Sequence, residues 1–278
     1  MSQRDKAELF RSLHQGRDVL VLPNAWDVPS ARVFEEAGFP AVATSSAGMM
    51  VSLGYPDGET ISKPDYVSAL ARISRVLTVP LSADVVAGFG ESPAEVVSMV
   101  RSVLKVGAVG INIEDLAHAE KKLFPLEKQV EKLKALKRLA ESVRVPFVIN
   151  ARTDALRNFP GDPSARMSEA LRRAVAFRDA GADCVYPMGL TLPDQISAFV
   201  KAVGCPVNVM VRKGLPSVSE LQRLGVKRVS FGPSASYAAM GLLRRAAREV
   251  LDKGTYTGLV EGAISFDELN SLALREPG

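Results

Sequence analysis

Residues 19–58 read VLVLPNAWDVPSARVFEEAGFPAVATSSAGMMVSLGYPDG, and this stretch decides the fold class. Val19–Leu22 is a short apolar, β-branched run and predicts a strand. Pro29 stands in the first turn of a helical pattern, Pro29–Ala37, which Gly38 closes just before a second strand at Ala41–Ser45. The same unit recurs along the chain. Further strands are predicted at Leu81–Val85, Val109–Glu114, Phe147–Ala151, Cys184–Met188, Val207–Met210 and Val229–Gly232. Gly107, Gly181 and Gly225 end helical patterns ahead of strands, and Pro80, Pro146 and Pro206 open others. Between them, helices are predicted at Lys63–Leu77, Ser92–Val106, Leu126–Ser142, Ser168–Ala180, Pro193–Val203, Ser217–Leu224 and Tyr237–Asp252. Strict alternation implies a parallel sheet covered on both faces, and eight units favour closure into a (β/α)8 barrel. The expectation is one barrel domain over residues 1–278, with an additional C-terminal helix at Ser265–Leu274. No GxGxxG follows the first strand, which argues against a dinucleotide fold.

The chain is 47% hydrophobic and 24% charged, enough to build a large core without disulfide staples. Two cysteines and two histidines argue against a Cys/His zinc site, and Cys184 and Cys205 read as buried structural thiols. The net charge of +4 is dispersed. The basic cluster Lys121, Lys122, Lys128, Lys132, Lys134, Lys137 and Arg138 is interleaved with Glu120, Glu127 and Glu131, so it reads as a solvated helix and not as a nucleic-acid stripe. The N-terminus has no signal-peptide pattern, and no apolar run reaches the roughly 18 residues of a membrane span. A soluble cytoplasmic protein is expected.

In such barrels the chemistry sits at the C-terminal strand ends. Asn24, Trp26 and Asp27 follow the first strand; Ser45, Ser46 and Gly48 follow the second. Asp84 and Glu114 end adjacent strands, either as solvated or arginine-bound acids capping helices, or as a repelling pair that needs a cation or proton between them; Mg2+, with Mn2+ as a substitute, prefers such oxygen ligands. Arg152 ends the fifth strand, either as a bidentate anchor for a substrate carboxylate or phosphonate, or as an ion pair with Glu114 or Asp154. Ser45, Ser46 and Gly48 form a turn whose N–H groups suit an anionic oxygen, and Asn208 ends up at the same mouth. Asp57 lies in the Gly54–Gly58 loop, as a turn residue or as part of a lid.

Five stretches, LPNAWDVPSARVFEEAGFPAVATSSAG, SLGYPDGE, LSADVVAGFG, GINIEDL and NARTDA, resemble the isocitrate lyase/phosphoenolpyruvate mutase superfamily in the right order along essentially the whole chain. The resemblance implies a barrel whose eighth helix is exchanged between subunits of a homodimer or homotetramer. It also implies Mg2+ held largely through waters and an enolate-like intermediate. By the same resemblance Asp84 and Glu114 look like metal-site carboxylates, Arg152 like the substrate-anchoring arginine, Ser45 and Ser46 like the anion-binding turn, and Asp57 like the aspartate of the lid. Three positions depart from the pattern. The loop LAHAEKKLFP (116–125) lacks the cysteine of the lyases, Ser82 replaces an aspartate of many members, and Met188 replaces a glutamate of lyase-type members. His118, Lys121 and Lys122 are then the groups available as a general acid. The implied enzyme is a Mg2+-dependent lyase or mutase acting on a small 2-oxo or enol-type carboxylate such as an oxaloacetate- or phosphonopyruvate-like compound. The alternative is a non-catalytic, regulatory carboxylate-binding protein on the same fold.

Overall fold

The computed structural model describes residues 1–143 and 145–273. Eight parallel strands close on themselves. The first, β1, has two parts, Leu20–Leu22 and Asn24–Ala25, separated by Pro23. Proline has no N–H to give a ladder, so the strand changes partner there. Its first part pairs with β8 (Arg228–Ser230), and its second with β2 (Val42–Thr44). Pairing then runs from β2 through β3 (Leu81–Asp84), β4 (Gly110–Glu114) and β5 (Val148–Thr153) to β6 (Cys184–Pro187). A single bridge between Val185 and Val207 joins β6 to β7 (Asn208–Met210), which pairs with β8 and completes the circle.

The strands alternate in the manner that a closed sheet requires. Ala83, Ile111, Ile113, Ile149, Ala151, Val185, Val209 and Val229 are buried in the large apolar core. Between them, pointing the other way, stand Ser82, Asn112, Asn150, Asn208 and Ser230, all buried. Barrels of this class usually fill that interior with branched aliphatic side chains. Here it is small and polar, and it leaves room.

The floor is closed from below. Helix Gln3–Gln15 starts in a capping box between Ser2 and Asp5 and buries Ala7, Phe10 and His14. Phe10 packs with Leu20, Leu22, Ala41, Ala43, Val109 and Val148. Gly110 is required beside it, because a Cβ there would lie 2.5 Å from the Phe10 ring. This amphipathic segment is the barrel's plug.

The observed helices fall within a few residues of the expected ones, with two informative differences. The helix expected from Ser168 begins at Pro163, because Asp162 caps it by accepting from Ala165 N. The expected Ser-rich turn after β2 is instead a short helix, Ser46–Ser52, capped by the Ser45 side chain. Helix Ser234–Lys253 buries only Ser236 and Ala246, and exposes Tyr237, Met240, Leu242, Leu243 and Leu251. The C-terminal helix Phe266–Ala273 packs instead on helix Val28–Glu36, where Arg32 Nε donates to Leu272 O at 2.9 Å. Leu274, the expected end of that helix, lies outside the described residues. Among the described residues no helix is long and apolar enough to cross a membrane.

Candidate active site

Adjacent strands deliver opposite charges to one place. Glu114 and Arg152 are register partners at the ends of β4 and β5, and Arg152 Nη1 lies 2.7 Å from Glu114 Oε2. The guanidinium also grips Asp154 with two N–H groups, Nε at 2.7 Å and Nη2 at 2.9 Å. Asp154 is itself fixed: its N–H donates to Asp115 at 2.9 Å, while Asp115 also accepts from Thr153 at 2.8 Å and pairs with Arg173 at 3.0 Å. Burial pushes the Asp115 carboxyl up to about 6, with Arg173 pulling it back.

The second oxygen of Glu114 meets His118 Nε2 in a short contact. Burial pushes the Glu114 carboxyl up to about 7, against the pull of Arg152 and His118. The hydrogen bond to Glu114 raises the His118 imidazole in turn. The two groups therefore titrate as one coupled pair. Gly58 closes the Gly54–Gly58 loop onto this ring: its φ is 105°, and a Cβ there would fall 2.8 Å from His118 Nδ1.

Asp84 ends β3 and, among the described residues, is held by neutral donors. Its oxygens accept from Asn112 Nδ2 at 2.9 Å, Ser46 N at 3.1 Å and Val86 N at 3.4 Å. Val86 has φ 53°, a left-handed conformation that costs a β-branched residue energy. The turn is stabilised because Val86 O accepts from Glu114 N at 2.8 Å, which ties the ends of β3 and β4 together. Asp57 reaches the same place, with Ser46 Oγ donating to it at 3.4 Å. Burial, then the charge of Asp84, raises its carboxyl above the usual range.

These groups surround a cavity of about 250 Å³ at the C-terminal end of the barrel. Asn24, Ser45, Ser46, Asp57, Ser82, Asp84, Asn112, Arg152 and Asn208 line it, with Tyr186 and Met188 as its less polar wall. Residues 10–251 match the sequence profile of phosphoenolpyruvate phosphomutase. The chain belongs to the phosphoenolpyruvate phosphomutase family. An uncharacterized protein of Mycobacterium tuberculosis H37Rv is 36% identical over 246 residues, 87% of this chain and 89% of its own. The 2-methylisocitrate lyase of Aeropyrum pernix is 30% identical over 275 residues, 95% of this chain and 86% of its own. Among solved structures, one from Burkholderia cenocepacia J2315 described as a lyase/mutase superposes with TM-score 0.90 at 37% identity, covering 98% of this chain and 97% of that one. Oxaloacetate acetylhydrolase with its product oxalate has TM-score 0.84 at 26% identity, covering 96% and 93%.

Within this family frame the residues singled out by sequence divide into four groups. Asp57, Ser45, Ser46, Asp84, Arg152 and Asn208 line the cavity. Glu114 and His118 stand behind it: Glu114 is 1% exposed, and its oxygens face Arg152 and His118 rather than the open space. Arg152 thus takes the ion-paired arrangement, with both acids at once. Trp26 and Gly48 are packing partners, since a Cβ on Gly48 would lie 2.8 Å from the Trp26 Cβ. Lys121 and Lys122 are exposed on a small hairpin, Leu116–Ala117 with Lys122–Leu123, away from the cavity. The anion-binding turn is also engaged from within, because the Ser46 N–H points at Asp84.

Two corrections follow. Lys132 is not part of a solvated face: it is fully buried, and its ammonium donates to Ala87 O at 3.2 Å and Gly90 O at 3.1 Å under the Phe124 ring. Its pKa falls to about 8 through burial, so it clamps the loop after β3 rather than meeting solvent. Arg228 was missed altogether. It begins β8, lines the cavity and is 2% exposed. A residue at the start of a strand carries no sequence signal for a mouth-facing site, and only the length of its side chain takes it there.

The His118–Glu114 pair gives a pH signature. The folded-state pKa of His118 is raised, so the pair's stabilisation is fully present below the imidazole's ordinary value, about 6.5, and lost as pH rises through the folded value. Melting curves of wild type and His118→Gln should therefore differ most near pH 6 and converge toward pH 9. A gap that widens with pH would mean that the imidazole does not act as the cation of this pair.

Proposed function

We propose that the protein is a lyase or mutase acting on a small 2-oxo carboxylate of the oxaloacetate or phosphonopyruvate kind, by C–C or P–C bond chemistry through an enolate-like intermediate. The observation that carries this reading is the fixed Arg152 guanidinium beside Asp84 and Asp57 in a cavity of about 250 Å³, the size of a small organic acid of about ten heavy atoms. Homologues of the chain are lyases and mutases, and the neighbour solved with oxalate supports a 2-oxo acid as the ligand.

Arg152 binds acids through three N–H groups, and its remaining N–H groups are left to orient a substrate carboxylate. Because Asp154 and Glu114 hold the fork on both sides, orientation costs little at the moment of reaction. Asp84 and Asp57 are the residues that would hold a divalent cation, Mg2+ or Mn2+, through waters. They fit that role because two carboxylates face one cavity and Asp84 accepts only neutral donors. Glu114 is committed to Arg152 and His118 and serves that cation as a background charge only. Bound there, the cation would supply Lewis-acid stabilisation of the oxygen charge that builds during bond cleavage. Asp57 lines the cavity beside Asp84, so in this reading it holds the cation and the departing carbanion takes its proton from another group. With no cysteine at 116–125, and with Lys121 and Lys122 turned to solvent, His118, held by Glu114, is the proton donor that this loop retains. Met188 and Tyr186, whose hydroxyl lies 2.7 Å from the Met188 sulfur, make the wall apolar and favour a short substrate.

A thermal-shift titration with Mg2+ and oxalate tests this reading. Wild type should melt higher by mass action, and Asp84→Ala should lose the increment. No rise in either protein would leave a non-catalytic role as the better account.

The exposed apolar side chains of helix Ser234–Lys253 support a homodimer or homotetramer in which a second copy covers this helix by exchange. Sedimentation should give an oligomer that Leu243→Glu dissociates. A monomeric wild type would refute it.

A further inference from the structure

Two arginines reach the cavity from the barrel strands, and they differ in one respect. Arg152 is neutralised by Glu114 and Asp154. Arg228 has no acidic partner among the described residues, and its buried Nε and Nη1 have no hydrogen-bond partner. Asp84, a carboxylate of the cavity wall, is already satisfied by Ser46 N, Asn112 Nδ2 and Val86 N. The Ser82 hydroxyl and Asn208 Oδ1, also in the wall, are likewise buried without partners.

A guanidinium taken out of water without a counter-charge is strongly unfavourable, and buried charges are normally paired. Apolar residues would fill this layer at lower cost, as they do in most such barrels. Ser82 contributes to the same effect. An aspartate there, as in many relatives by resemblance, would put a third carboxylate on the wall beside Asp57 and Asp84; serine leaves a neutral hydroxyl that can donate to an anion.

We propose that Arg228 is a second anion anchor at the floor of the cavity and sets the preference for doubly over singly anionic 2-oxo acids. One carboxylate is held by Arg152 at the mouth; the second carboxylate or phosphonate is held from below by Arg228 with the Ser82 hydroxyl. This rests on the reading that the cavity binds 2-oxo acids, and adds to it the residues that hold the second anionic group and so orient the ligand. The free positive charge of the site lies with Arg228, because that of Arg152 is already cancelled by its two acids.

Calorimetric titration of the full chain with phosphonopyruvate and with pyruvate, in Mg2+, tests the proposal. Wild type should bind the dianion about 100-fold more tightly than the monoanion, the effect of a charge-assisted contact in a desolvated site. In Arg228→Met the preference should collapse to a few-fold while pyruvate affinity holds. The ligand-free variant should melt at or above wild type, since an uncompensated buried charge is gone. Arg228→Gln, neutral but polar, should show the same loss of preference and serves if the methionine variant does not fold. Retention of the dianion preference in either folded variant overturns the proposal, as does equal affinity of wild type for the two acids. Binding of neither acid overturns the underlying 2-oxo acid reading, and this proposal with it.

Discussion

The pairing of Glu114 with Arg152 is the interaction on which the site depends. It joins the ends of two adjacent strands in register, and both partners are almost fully enclosed. A buried ion pair is stable only when its remaining hydrogen-bonding capacity is met, and removing one partner typically costs about 3–5 kcal/mol. Here the capacity is met twice over. Asp154 takes two further N–H groups of the guanidinium, and His118 takes the second carboxylate oxygen. Behind them Asp115 and Arg173 hold Asp154 in place through its own backbone N–H. The site is therefore two tiers of charge, the outer one facing the cavity and the inner one fixing its geometry.

A second constraint is the hollow interior. Close packing would fill the barrel with branched side chains, yet Ser82, Asn112, Asn150, Asn208 and Ser230 occupy the inward positions. Asn150 donates to Asn112 at 2.8 Å, Asn112 to Asp84 at 2.9 Å, and Asn208 to Ser230 at 3.1 Å, so this polar layer orients the Asp84 side of the cavity. Phe10 and the N-terminal helix then seal the other end, and Arg228 rises between plug and mouth. Depth in the pocket is thus a consequence of small residues in the wall and of a helix outside the repeating units.

Much of this was legible in the sequence, for physical reasons. The eight strands announce themselves because parallel strands buried on both faces are short, apolar and β-branched, and glycine or proline marks their approach. Asp84 and Arg152 stood out because polar residues at C-terminal strand ends have few structural reasons to be there; Asp57, in a Gly/Pro-rich loop, stood out only through the family resemblance. What escaped depends on distance in space rather than along the chain. Pro23 looked like the end of a strand, and is instead the point where one strand hands over between two neighbours. Glu114 and Asp84 end adjacent strands as expected, but Glu114 turns to the arginine beside it, and Asp57 is the acid that shares the cavity with Asp84. Lys132 reads as one of a run of solvated lysines; nothing local reveals the loop folded over it. Arg228 sits on the strand end where stability, not chemistry, is ordinarily found.

The central claim is that the cavity ringed by Arg152, Asp84 and Asp57 receives a small 2-oxo acid. A crystal structure of the protein grown with Mg2+ and oxalate tests it most directly. The account predicts oxalate inside the barrel mouth, one carboxylate within hydrogen-bond distance of Arg152, with the Arg152–Asp154 and Arg152–Glu114 contacts intact. Saturating oxalate that leaves the cavity to water, or that binds elsewhere on the surface, would contradict it.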